Sequence, residues 1–245
     1  MKTTIALIGM LGLASPVLAQ QAITLTTELY PPFSYRGEDG KYHGSSMEQV
    51  EALMRHADIP FTIEIMPWAR AITLAETKPM HCVFSAARIA EREARFKWVT
   101  PISVDHYILV RRADAAVKAG TMEEAKRLTI GTHRADFTET LLRERGFPSI
   151  DLSADVESTL KKLLERRVDL MPMSETVYER LKSEGKPVEM ALPFSENHLG
   201  LACNKQMSDE LIGRMQGGLD RLIREKGQDE ILTRYGLKPL RLWEK

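Results

Sequence analysis

Four short stretches of this 245-residue chain carry side chains able to grip a small charged molecule. In one, Ser85 ends an apolar, strand-like run and Arg92 follows seven residues later, with Arg88 between them and Arg95 just beyond. A guanidinium presents planar, paired donors that fit a carboxylate through two parallel hydrogen bonds. Such a grip is strong only where water is excluded. A second stretch, Thr132 to Thr138, turns from a strand into a helix, and free amides at a helix start favour anions. Asp136 sits at that start, either as the helix cap or as the partner of a cationic group. Thr27 to Phe33 is the third and carries Tyr30 in a Tyr-Pro-Pro-Phe turn; Asp169 to Glu175 is the fourth and ends on Ser174 and Glu175. The turn Pro67-Trp68-Ala69-Arg70 adds an indole and a further guanidinium.

Other chemistries leave weaker traces. The six histidines are scattered, without paired metal-ligand spacing. There is no phosphate-cradling glycine loop and no Gly-x-Ser-x-Gly elbow. No metal, cofactor or catalytic residue is therefore assigned. Catalysis would need a positioned acid or base, for which Asp136, His133 and Glu175 are the available groups.

The elements that must position these residues alternate between strand and helix. Strands are expected at Ile23 to Thr27, Phe61 to Met66, Cys82 to Ser85, Tyr107 to Arg111, Leu128 to Thr132, Asp169 to Met173 and His198 to Asn204. Helices are expected at Ser46 to His56, Trp68 to Glu76, Phe137 to Arg145, Val156 to Glu165, Thr176 to Glu184 and Ser208 to Glu225. Thr121 with Glu124, and Asp136 with Glu139, have the spacing of capping boxes. Gly217-Gly218 should weaken the last helix by about 1 kcal/mol per glycine. The alternation predicts an α/β fold with largely parallel sheets, and ligands of such sheets sit beyond the carboxyl ends of strands.

Equal numbers of basic and acidic residues, 34 each, leave no net formal charge, which argues against a nucleic-acid binder or a polybasic membrane-surface protein. Lys2, the apolar run Thr3 to Ala14 and the small residue Ala19 form an export signal over residues 1–19, so the mature chain is expected near Gln20 and outside the cytoplasm. No cysteine lies near the cut, so a lipid anchor is not expected. Cys82 and Cys203 sit in apolar runs far apart in sequence; two buried thiols are the expectation, with a disulfide the alternative an exported setting permits.

Glu28-Leu29-Tyr30-Pro31-Pro32-Phe33-Ser34-Tyr35, the Met66 to Ala71 segment, and Phe84 through Arg92 to Pro101 resemble the family 3 extracellular solute-binding proteins, two-lobed periplasmic receptors best known for polar amino acids. The resemblance covers most of the mature chain. It implies a type II periplasmic binding-protein fold with the ligand cleft between lobes. Lobe 1 would be residues 21–105 plus 204–245, lobe 2 residues 106–203, with hinge crossings near Ser103–His106 and Leu199–Asn204. It implies that Arg92 holds a ligand carboxylate, that Tyr30 lines the cleft, and that the position of Ser85 contacts ligand. Where relatives place an aspartate for the ligand's ammonium, this chain has Ser174, and Ala87 replaces a usual hydroxyl. Trp68, Arg70 and Arg88 are the further candidates for the same cleft. The implied function is capture of a small polar, carboxylate-bearing ligand by a monomer that hands it to an inner-membrane ABC permease. An enzyme on the same fold, such as a cyclohexadienyl dehydratase, and a ligand sensor without transport are the alternatives.

Overall fold

The structure, a computed structural model, describes residues 21–117 and 119–244; the expected export segment, residues 1–19, lies outside them. In chain order the elements are β1 (Ile23–Thr27), β2 (Tyr35–Arg36), β3 (Tyr42–His43), α1 (Ser45–His56), β4 (Phe61–Ile65), α2 (Trp68–Thr77), β5 (His81–Ala87), α3 (Ala90–Glu93), β6 (Phe96–Arg112) and α4 (Met122–Ala125). They continue with β7 (Ile130–His133), α5 (Phe137–Glu144), β8 (Ile150–Ser153), α6 (Val156–Leu164), β9 (Met171–Ser174), α7 (Glu175–Ser183), β10 (Val188–Asn204), α8 (Asp209–Arg224) and α9 (Gly227–Arg234), and a 3-10 turn at Leu242–Glu244.

The main sheet has the order β4-β1-β5-β10-β6-β9. β1 runs parallel to β4 and β5, but β10 is antiparallel to both β5 and β6, and β6 is antiparallel to β9. The sheet is therefore mixed rather than largely parallel. β6 and β10 pair along most of their 17 residues each, far beyond the short strands expected at Tyr107 to Arg111 and His198 to Asn204. Polar positions in mid-strand, such as Ser103, Asp105, Ser195 and Asn197, break the apolar pattern there.

These two strands thread two lobes. One core gathers Ile23, Leu25, Leu53, Phe84, Ile102, Leu201 and Leu219. Further along, alternate residues of β6 face opposite sides of the sheet, as a strand's period of two requires. Ile108 and Val110 pack with Leu163 and Met173, and Leu109 packs with Ile130, Leu142 and Leu192. The chain leaves the first core for the others between Ile102 and Ile108 on the way out, and returns between Phe194 and Leu201. Asp105 stands opposite Asn197 in that passage. This two-lobed α/β architecture is the one the sequence implies.

The cysteines depart from expectation. Cys82 and Cys203 form a disulfide, because the antiparallel register of β5 and β10 sets them directly opposite each other with Cα atoms 3.9 Å apart. A strand pairing between residues 121 apart is not visible in local sequence.

The paired glycines of α8 have different reasons to be there. A Cβ on Gly218 would lie 2.3 Å from the Leu53 carbonyl oxygen of α1, so its bare backbone lets α1 and α8 pack closely. A Cβ on Gly217 would meet nothing within 4 Å. Gly217→Ala should therefore stabilise the protein by up to about 1 kcal/mol through helix propensity. Gly218→Ala should destabilise it by about 1–3 kcal/mol through overpacking. Urea unfolding of the two variants checks this, and equal effects would refute the close-packing account.

Candidate functional site

The carboxyl end of β1 carries Thr27 and Glu28 into the turn Tyr30–Phe33, closed by the Phe33 amide donating to the Tyr30 carbonyl at 2.9 Å. On the adjacent strand β5, the ladder with β10 shifts register between Gly200 and Ala202, and Ser85 takes a left-handed φ of 60°. Such a bulge re-aims a side chain; Ser85 turns to the cavity, and its buried Oγ has no partner. Across the cleft, β7 delivers His133 and then a turn in which Ala135 also has φ 60°. Asp136 caps α5 by accepting the Thr138 amide at 3.0 Å, while Glu139 accepts the Ala135 amide at 3.0 Å.

Between these walls lies a cavity of about 30 Å³, lined by Thr27, Glu28, Tyr30, Trp68, Ser85, Ala87, Asp105, Tyr107, His133, Asp136 and Phe137 among others. That volume holds one or two water molecules, so admitting anything larger requires the lobes to part. They are joined by several contacts. The Trp68 indole N–H and Arg92 Nη2 both donate to the Ala135 carbonyl, each at 2.9 Å. The Ser174 amide donates to the Tyr30 hydroxyl at 3.0 Å. His133 Nε2 lies 3.3 Å from Glu28 Oε1 and 3.8 Å from Asp136 Oδ2. Ala87, Phe137 and Leu199 form a small apolar seam beside them.

The candidates sort plainly. Tyr30, Trp68, Ser85 and Asp136 line the cavity, and Asp136 is helix cap and cavity wall at once. Arg92 stands just behind the wall, 5.6 Å from the Trp68 ring centroid and only 2% exposed. Ser174 is also behind it, its hydroxyl donating to Asp105 Oδ1 at 2.8 Å. Arg70 and Arg88 are not brought to the cavity. Arg70 is exposed on α2, on the opposite side from buried Trp68, because residues two apart on a helix do not share a face. Arg88 is exposed and turned away to Glu93 at 2.6 Å.

Glu28, Asp105 and Tyr107 reach the cavity without having been singled out, and His133 is a wall residue rather than a scattered one. For Asp105 a signal exists: a carboxylate between the apolar residues Ile102 and Ile108 of one strand. Burial pushes the Asp105 carboxyl up to about 7, although the Ser174 hydroxyl opposes this. Burial also raises Glu28, against the pull of His133. Burial resists the charge on His133, yet Glu28 and Asp136 prevail and lift it to about 9.

Residues 23–238 match the bacterial extracellular solute-binding proteins, family 3. The L-cystine-binding protein TcyJ of Escherichia coli (strain K12) is 25% identical over 105 residues, which is 42% of this chain and 40% of that protein, so the match spans less than half of either. Among solved structures, a histidine kinase sensor domain with similarity to periplasmic binding proteins superposes with a TM-score of 0.81 at 17% identity, covering 90% of this chain and 99% of the other. The arginine-, lysine-, histidine-binding protein ArtJ of Geobacillus stearothermophilus gives 0.79 at 19% identity, covering 90% and 97%. At these identities the structures establish the fold.

The His133 cluster has a pH signature. Its folded pKa, about 9, lies above the ordinary histidine value near 6.5. Its contribution is therefore full below about pH 6.5 and is lost as pH rises through about 9. The charges facing it are Glu28 after β1, Asp136 on α5 and Asp155 before α6. Wild-type stability should fall between pH 6.5 and 9 by about 1–3 kcal/mol more than that of His133→Gln. Thermal melts across that range check this, and parallel curves would remove the ionic role of His133.

Proposed function

The chain belongs to the bacterial extracellular solute-binding proteins, family 3, and on that premise we propose that it captures a small polar, carboxylate-bearing molecule by closing its two lobes on it. One observation carries the reading. Arg92 is buried and, among the described residues, donates only to carbonyl oxygens, those of Ala87 at 3.3 Å and Ala135 at 2.9 Å, while its Nε has no partner there. Its neighbours are differently placed: Arg88 pairs with Glu93, and Arg95 with Glu76 and Glu91. A buried guanidinium without a carboxylate is costly. Burial presses its pKa down, against the more distant charge of Asp136. A ligand carboxylate taking the place of the Ala135 carbonyl on Arg92 supplies the missing anion, with Tyr30, Trp68 and the Ser85 hydroxyl around it.

The ligands named for the relatives, L-cystine, arginine, lysine and histidine, are all amino acids, which supports an amino-acid-like ligand here. Binding without turnover is the role of the proteins so named. The lobes are residues 21–105 with 204–245, and 106–203, hinged near Ser103–His106 and Leu199–Asn204. The protein acts as a monomer in the periplasm and delivers its ligand to an inner-membrane ABC permease. The disulfide supports a compartment outside the cytoplasm.

Thermal-shift screening of the mature protein against the twenty L-amino acids, L-cystine, hydroxy acids and dicarboxylates should find a stabilising ligand, since binding the folded state raises apparent stability. In calorimetric titration with that ligand, Arg92→Ala should lose about 2–5 kcal/mol of binding, or roughly 30- to 5,000-fold in affinity. Arg92→Lys should bind weakly too, lacking the planar fork. Arg95→Ala should bind within about twofold of wild type, because its exposed ion pairs contribute little. Retained affinity in folded Arg92→Ala would overturn the reading.

A further inference from the structure

The cavity wall carries a buried carboxylate that pairs with no cation among the described residues. Asp105 is only 5% exposed and makes no ion pair among the described residues. Its Oδ1 accepts the Ser174 hydroxyl at 2.8 Å, and its Oδ2 is buried without a partner. The other two cavity carboxylates face a cation, although Glu28 Oε2, like Asp105 Oδ2, is buried without a hydrogen-bond partner. Glu28 faces His133 at 3.3 Å, and Asp136 faces the same imidazole at 3.8 Å while capping α5. The histidine beside Asp105 in sequence, His106, turns outward to Glu196 at 3.1 Å. Its backbone lies in the β6–β10 ladder opposite Asn197, two residues before β6 meets β9 at Tyr107.

A buried carboxylate with one oxygen free either keeps its proton or waits for a cation. We propose that Asp105 is the ammonium site for the ligand, so that the cleft selects zwitterions with a carboxylate on Arg92 and an ammonium on Asp105. This rests on the reading of Arg92 above and extends it to the other end of the ligand. Ser174 is a positioning residue: its hydroxyl holds Oδ1 and leaves Oδ2 without a partner. The serine thus stands where the resemblance places an acidic group, and the acidic group has moved to the neighbouring strand. β9 pairs with β6 so that Ser174 lies opposite Tyr107, two residues from Asp105. The two sites can therefore exchange a carboxylate without any change of fold. With burial holding the Asp105 carboxyl at about 7, it ionises readily when an ammonium arrives.

Matched ligand pairs test this: the tightest-binding amino acid from the twenty L-amino acids and L-cystine, and its 2-hydroxy acid analogue, which keeps the carboxylate and lacks the ammonium. Wild type should prefer the amino acid by at least tenfold. Asp105→Asn should lose roughly 30- to 5,000-fold on the amino acid and little on the hydroxy acid, bringing the ratio near one. Ser174→Ala should lose about fivefold on the amino acid alone, the effect of one hydrogen bond. Equal losses on both ligands, or amino-acid affinity within twofold in Asp105→Asn, would overturn the assignment. If that variant does not fold, Ser174→Ala decides by the same ratio. An Arg92-dependent hydroxy acid or dicarboxylate that wild type prefers to every amine would refute the ammonium site alone. No binding by any carboxylate would refute the reading of Arg92 together with it.

Discussion

The ladder between β6 and β10 sets the geometry of the whole molecule. It carries the chain out of one hydrophobic core and back, and it shifts register three times on the way, between Met190 and Leu192, Pro193 and Ser195, and Leu199 and Leu201. Such irregularities add twist and bend to a strand pair. They allow one pair of strands to serve two lobes of different orientation. The cleft exists because the elements on either side of the ladder cannot fill the same space near Asp105. Many wall residues come from the carboxyl ends of β1, β5 and β7 and the turns that follow them, while Asp105 and Tyr107 come from β6 itself and Trp68 from the start of α2. A sheet edge or a single lobe would offer only half of this set.

Within that frame the cleft is an exercise in charge desolvation. Three kinds of buried charge meet there: the His133 cluster, which is internally compensated, Arg92, which rests on carbonyl dipoles, and Asp105, which rests on one hydroxyl. The first joins the lobes to each other. The other two have no partner of opposite charge among the described residues, and on the proposed function a ligand supplies it. The Arg92 guanidinium has neutral oxygens on Nη1 and Nη2, nothing on Nε and no facing carboxylate, and in a water-poor site the missing charge matters. The left-handed φ at Ala135 places its carbonyl where both Trp68 and Arg92 reach it, at the expense of local backbone strain.

The legibility of this protein in its sequence follows the range of the forces involved. Local signals were reliable. The Thr121–Glu124 capping box forms, Asp136 caps α5, and the amphipathic pattern of Ser46 to His56 becomes α1. The resemblance of the Tyr30 and Ser85–Arg92 blocks identified the fold, and Tyr30 and Ser85 from those blocks line the cavity. Long-range pairing was not legible: the full length of β6 and β10, the mixed sheet and the Cys82–Cys203 bond all depend on a register between distant segments. Asp105 and Glu28 stayed hidden for a related reason. Burial gives those carboxylates their character, and burial is a property of the assembled lobes.

The disulfide gives the chain a covalent topology that its linear order conceals. Everything from Cys82 to Cys203, including β6 through β9 and most of both cores of the second lobe, lies inside one ring closed by a single S–S bond. A protease cutting the exposed turn at Ala113 and Asp114 would open that ring without releasing either fragment. The two pieces would stay at intramolecular effective concentration, with the nick far from the Ser85 bulge and the β7–α5 turn. Such a molecule would run as one species without reductant and as two with it. Cleavage in the surface loop and loss of the binding cleft are thus separate events, and only reduction of the bond couples them.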